Sequence, residues 1–184
     1  MKKLFSVCLC SFLFFSIAAH GQKTIQKANG KTEPQLVKQL RELIDYSDDQ
    51  FDSIEVALDE AKSVLRHKQY KTSFALEGAI ENYIIEHKSG GGSFTAIYGT
   101  DLPYTEIEEL YNKLSKLIRG GFSDDFKVVE KKTDLSPTGK TFTKELFVSR
   151  KNEEELKIIL YYTNRGLYVT TNKPDNLISI SVEW

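Results

Sequence analysis

The residues able to do chemistry are few in this 184-residue chain, and their spacing assembles no familiar reaction centre. There are three histidines, His20, His67 and His87. His67 sits in Arg66-His67-Lys68 and His87 precedes Lys88. A zinc site needs two or three such ligands converging with carboxylates, and no HExxH or comparable spacing is present. Without a Gly-x-Ser-x-Gly elbow, Ser-His-Asp hydrolysis lacks its strand-to-helix nucleophile. Glu77, Glu81 and Glu86 supply carboxylates for paired acid and base work, but such pairs meet only in the fold, and solvated strand faces account for them more simply. The run Ser89-Gly90-Gly91-Gly92-Ser93 suggests a phosphate cradle, yet a cradle leads from a strand into a helix N-terminus and this run leads into another strand, so it reads as a hairpin tip. Asp45, Asp48, Asp49 and Asp52 lack the alternating ligands, central glycine and terminal glutamate of a calcium loop and read as a solvated linker. The sequence therefore assigns no catalytic residue, no metal ligand and no cofactor.

Tyrosine is the enrichment worth weighing, with nine in the chain. Tyr161 and Tyr162 are adjacent on an expected strand, so they point to opposite faces of the sheet and one of them looks away from any covering helix. Tyr168, out of phase with Leu167 and Val169, is placed similarly. Aromatic side chains on an open sheet supply contact area at low entropic cost, which is what partner surfaces use. Tyr161, Tyr162 and Tyr168 are accordingly the candidate binding residues, set against the plainer role of cross-strand pairs that stabilise the sheet.

Residues 1–21 have the parts of a secretory leader: Lys2 and Lys3, an apolar run from Leu4 to Ala19, and the small-x-small site Ala19-His20-Gly21, with cleavage expected before Gln22. The apolar run is shorter than the roughly 20 residues a membrane-spanning helix requires. Both cysteines, Cys8 and Cys10, fall inside it, too early and behind residues too bulky for lipid attachment, so the exported chain carries no thiol and packing alone holds its fold. With 25 basic and 26 acidic residues the chain is almost neutral, and loss of Lys2 and Lys3 makes it slightly more acidic. That balance gives no electrostatic reason to bind nucleic acid or an anionic membrane.

The element that organises the rest is Thr105 to Phe122. Ile107, Leu110, Tyr111, Leu114, Leu117 and Ile118 fall at helical spacing, Thr105 with Glu108 reads as a capping box, and Gly120-Gly121 reads as the stop. An earlier helix, over about 33–46, is marked by Leu36, Val37, Leu40, Leu43 and Ile44, with Thr32 and Gln35 as a second capping box. From Phe51 to His67 the pattern is ambiguous: Phe51, Ile54 and Leu58 anchor a turn, and Asp59 to Arg66 fits a short helix with Ala61, Val64 and Leu65 inward. Strands are expected at Lys71–Leu76, Ala79–His87, Phe94–Tyr98, Phe126–Lys131, Thr141–Arg150, Leu156–Thr163, Leu167–Thr171 and Leu177–Trp184, with turns at Asn164-Arg165-Gly166 and Pro174-Asp175-Asn176. In the last strand Ile178, Ile180, Val182 and Trp184 alternate with Ser179, Ser181 and Glu183, one face inward and one in water.

These signals predict an α+β protein: an antiparallel meander sheet with one long amphipathic helix (about 105–119) and the N-terminal helix (about 33–46) packed on one face. The expected organisation is a leader over 1–21, a flexible tether over 22–31 and a single domain over 32–184. The expected role is an exported binding or inhibitor-like module, periplasmic or extracellular, meeting another protein or a surface glycan through its open sheet face or edge. Two rivals make different demands. A hydrolase using carboxylates or His87 needs a polar cleft, and a carrier of an apolar ligand needs an apolar cavity between helix and sheet.

Overall fold

The computed structural model describes residues 33–124, 126–137, 141–151, 157–167 and 174–184. The expected leader, tether and Tyr168 lie outside the described residues. Helix α1 spans Gln35–Tyr46 and buries Leu36, Val37, Leu40, Leu43 and Ile44. Its start differs from expectation. Pro34 is the N-cap with no side-chain cap and Gln35 is already helical, while Thr32, the other half of the expected capping box, lies outside the described residues. Proline suits that place because its missing N–H is one that a helix start leaves unpaired in any case.

Two short 3-10 turns, Ser47–Asp49 and Asp52–Ile54, follow α1. Between them Gln50 and Phe51 both take left-handed backbone, with φ of 59° and 66°. Such a conformation is costly for a bulky residue. It is held by the fully buried Phe51 ring, which packs 5.1 Å from the Trp184 ring and 6.1 Å from that of Phe94.

Among the described residues, eight strands form one sheet: β1 (Glu55–Leu58), β2 (His67–Thr72), β3 (Glu81–His87), β4 (Gly92–Thr100), β5 (Phe126–Asp134), β6 (Phe142–Arg150), β7 (Lys157–Leu167) and β8 (Pro174–Glu183). Their order is β1-β2-β3-β4-β8-β7-β6-β5, with every neighbouring pair antiparallel. The chain thus makes two four-stranded meanders, β1 to β4 and β5 to β8, zipped together where β4 meets β8. Helix α2 (Tyr104–Phe122) carries it from the centre of the sheet to the far edge.

Three local expectations give way. The segment 59–66 is not a helix: turns and an isolated bridge between Val64 and His67 link β1 to β2, and Leu58, Val64 and Leu65 are exposed, Leu65 at 86%. Ala61 is exposed as well. The strand β1 was hidden in the sequence because all four of its residues are exposed, which leaves no inward alternation to detect. Asn164-Arg165-Gly166 is not a turn either; β7 runs through it to Leu167 with a register shift against β8. Pro174 opens β8 rather than turning into it, a position where a missing N–H is tolerated. Asn176 there bonds through its side chain to both backbone groups of Leu102, tying β8 to the loop before α2.

Helix α2 buries Ile107, Tyr111, Leu114, Ile118 and Phe122, with Leu110 and Leu117 half-buried beside them, much as its spacing predicts. Its ends differ. Pro103 is the N-cap and no side chain caps the helix, while Glu108 pairs at 3.2 Å with Lys144 instead of turning back to Thr105. Gly120 and Gly121 are both helical rather than a stop. Gly121 has a packing reason: a Cβ there would lie 2.6 Å from Cγ2 and 3.0 Å from Cβ of Val37 on α1. The side chain of Arg41 donates to the Gly121 carbonyl and lies 4.8 Å from the centre of the Phe122 ring, so the two helices close against each other.

Both helices cover the same face of the sheet. The stripes of α1 and α2 form one contiguous core with Ile84, Phe94, Ala96, Leu146, Val148, Ile158, Leu160, Tyr162, Ile178, Ile180 and Val182. Among the described residues, no side chain of the alternate set on those strands belongs to that core. Among the described residues, no helix is long and apolar enough to cross a membrane.

Candidate functional site

Strand alternation sends every second residue to the uncovered face, and the register lines these up across the sheet. One row runs Tyr83, Thr95, Ser181, Ile159, Phe147, Val129, and the next runs Glu81, Ile97, Ser179, Tyr161, Glu145, Lys131. The middle of both rows, on β4 and β8, is small and hydroxylic. Ser93, Thr95 and Ser181 form a chain of hydroxyl contacts, with 3.4 Å between the first two oxygens and 3.2 Å between the last two. On either side stand larger side chains, Tyr83 and Ile85 from β3 and Ile159, Tyr161 and Phe147 from β7 and β6, all half-buried. Ile97 is only 8% exposed although it lies outside the core beneath the helices. Burial, followed by the negative charge of Glu81, raises the Tyr83 phenol above its ordinary range. The surface is apolar and hydroxylic at its centre, with Glu81 beside Ile97 and Glu145 beside Tyr161, and with Lys71, Lys127 and Lys131 toward the sheet edges.

The expected tyrosines separate cleanly. Tyr161 stands on this face, opposite Ser179 and Glu145. Tyr162 does not belong to any accessible surface: it is fully buried, with its ring 5.6 Å from that of Tyr111 and 5.4 Å from that of Phe142. Its place among the binding candidates is corrected accordingly. Its hydroxyl has no hydrogen-bond partner among the described residues. Burial first, then the neighbouring Tyr104 and Glu108, push that phenol well above the ordinary tyrosine range. Tyr168 lies outside the described residues. Sequence reasoning missed Tyr83, Ile97, Phe147 and Ile159. The period-two alternation of β3, β4, β6 and β7 carried the signal, but it becomes legible only once strand order shows which alternate set is covered.

On the covered face the Tyr98 and Tyr162 hydroxyls are unpartnered among the described residues, but the polar groups beside α2 are engaged with one another. The Tyr111 hydroxyl donates to Glu130 at 2.9 Å and Arg119 donates to the same carboxylate at 2.7 Å. The Lys144 ammonium, 5.6 Å from the Tyr111 and Phe142 ring centres and 5.9 Å from that of Tyr162, pairs with Glu108. An ammonium among aromatic faces with one carboxylate is a stabilised cation. The carboxylates singled out in the sequence stay dispersed. Glu81 pairs with Lys62, Glu86 takes hydrogen bonds from Lys68 and Tyr70, and Glu77 is exposed. A surface concavity of about 750 Å³ is lined by Ser63, Val64, Leu65, Arg66 and Lys88, away from the junction of helix and sheet. Among the described residues, no group of three or more His, Cys, Asp or Glu side chains is placed to hold a metal ion. Compared with known proteins, the chain matches no family model, no curated protein and no solved structure.

Proposed function

We propose that this chain is an exported binding domain that recognises another protein through the uncovered face of its sheet. The observation that carries the reading is the side-chain set of that face: half-buried Tyr83, Phe147, Ile159 and Tyr161 around a hydroxylic centre, all outside the core that the helices close. Apolar and aromatic residues at the centre with charged residues at the margin are the make-up of protein interfaces. Half-buried branched aliphatic side chains such as Ile85 and Ile159 favour a protein over a glycan, whose rings stack on flat aromatic faces. Export rests on the leader-like residues 1–21. The hydrolase and carrier readings gain nothing comparable, since the space between helices and sheet holds a contiguous apolar core.

The test is site-specific photo-crosslinking in the native envelope. A photoreactive phenylalanine analogue at position 161 should capture one discrete protein, and the capture should be lost on Phe147→Arg in a chain of unchanged circular dichroism. The same probe at Lys113, exposed on α2, should capture nothing discrete. Capture at 113 but not at 161, or adhesion to glycan alone, contradicts the proposal.

A further inference from the structure

The register of β2 against β3 places His67 directly opposite His87. Both lie on the uncovered face, three residues from the inward pair Tyr70 and Ile84, so the fold brings together two imidazoles that are twenty residues apart in sequence. Their ring centres are 6.4 Å apart, nearly perpendicular to each other at 82°. The backbone explains the closeness. The N–H and C=O of His67 bond to Val64, at 3.2 and 3.0 Å, and the N–H of His87 bonds to Gly91, so the two histidines exchange no ladder bond. They form the kind of antiparallel pair in which opposed Cα atoms approach to about 4.5 Å and the side chains stand closest. The neighbouring backbone bond, Lys88 N–H to the Arg66 carbonyl, pins this register at the strand ends. Arg66 and Lys88, one residue removed on each chain, project to the opposite face by alternation, as do the paired Lys68 and Glu86.

We propose that His67 and His87 form a two-imidazole site for a divalent transition metal, copper(II) or zinc(II). Imidazole nitrogen suits these ions, and copper(II) heads the affinity order for divalent first-row metals. Two metal–nitrogen bonds of about 2.0–2.1 Å draw the rings closer than they stand here, which rotation of two accessible side chains supplies. The remaining coordination positions face solvent and are filled by water. Neither histidine carries spacing that announces a ligand, because the site is made by strand register alone.

The experiment uses the full chain in a His20→Ala background, so that these are its only two imidazoles. Substoichiometric copper(II) should broaden the Cε1–H proton resonances of both histidines together. Zinc(II) titrated by calorimetry should bind with one equivalent per chain, and His67→Ala or His87→Ala should each weaken it by about tenfold or more, with circular dichroism unchanged. Broadening of one imidazole without the other, single variants that bind zinc(II) as tightly as the parent, or no binding at all overturns the proposal.

Discussion

Replacing Gly121 by alanine tests the closure of α1 on α2 against the intrinsic preference of the helix. Both glycines near the end of α2 are helical, and in a helix interior glycine is worse than alanine by about 0.8–1.0 kcal/mol. On preference alone, Gly120→Ala and Gly121→Ala should stabilise the fold equally. The surroundings separate them: nothing lies within 4 Å of a Cβ at 120, whereas at 121 that atom would run into both methyl groups and the Cβ of Val37. Val37 is fully buried, and its β-branched side chain in a helix is held strongly to one rotamer. Forcing a methyl into such a contact costs about 1–3 kcal/mol, which offsets or exceeds the gain in preference. Denaturant unfolding should therefore place Gly120→Ala above the parent by about 0.5–1 kcal/mol and Gly121→Ala level with or below it by up to about 2 kcal/mol. Adding Val37→Ala to Gly121→Ala should recover part of the loss, since residues in contact are not additive. Equal stabilisation by both alanines would refute the close approach of the helices and with it the placement of α1.

The two adjacent tyrosines should behave as opposites. Tyr162→Ala removes a fully buried ring from beneath α2 and should cost about 3–5 kcal/mol in thermal or denaturant unfolding. Tyr161→Ala should change stability by less than about 1 kcal/mol while abolishing photo-crosslinking from a probe placed at Phe147. Alkaline titration carries a further prediction. The phenols of Tyr98, Tyr111 and Tyr162 are raised above the ordinary 10.0, in each case chiefly by burial. Above pH 10 the unfolded chain releases these protons and the folded chain holds them, so stability is fully present below pH 10 and falls as pH rises beyond it. Absorbance at the phenolate band should show three tyrosines that ionise only together with unfolding, followed by circular dichroism, and smooth titration of every tyrosine in the folded state would contradict their burial.

The core of α2 was readable because six apolar residues at helical spacing leave little choice of face, and five α1 positions did the same. The start of α1 and both ends of α2 were misread for a physical reason, while α1 ends at Tyr46 as its spacing implied. A proline at the N-cap pre-sets the entry without any side-chain bond, and glycine admits either a left-handed stop or a tight helix contact, which only the neighbour Val37 decides. Strand β1 escaped because it is exposed throughout, and the β7–β8 pairing overrode the turn signals of Asn164-Arg165-Gly166 and Pro174. The surface was half legible. Alternation required that Tyr161 and Tyr162 part ways, but which of them faces the helices depends on a register between strands that no local pattern carries. The His67–His87 pair depends on the same kind of long-range register.

The central claim is that two helices seal one side of the sheet and leave the other to a protein partner. Hydroxyl-radical footprinting of the chain, alone and in its native envelope, addresses it most directly. The account predicts that Tyr83, Phe147 and Tyr161 lose reactivity in the envelope, while Tyr104, 45% exposed on the helix side, keeps its own. Unchanged reactivity at all four, or protection of Tyr104 alone, would contradict it.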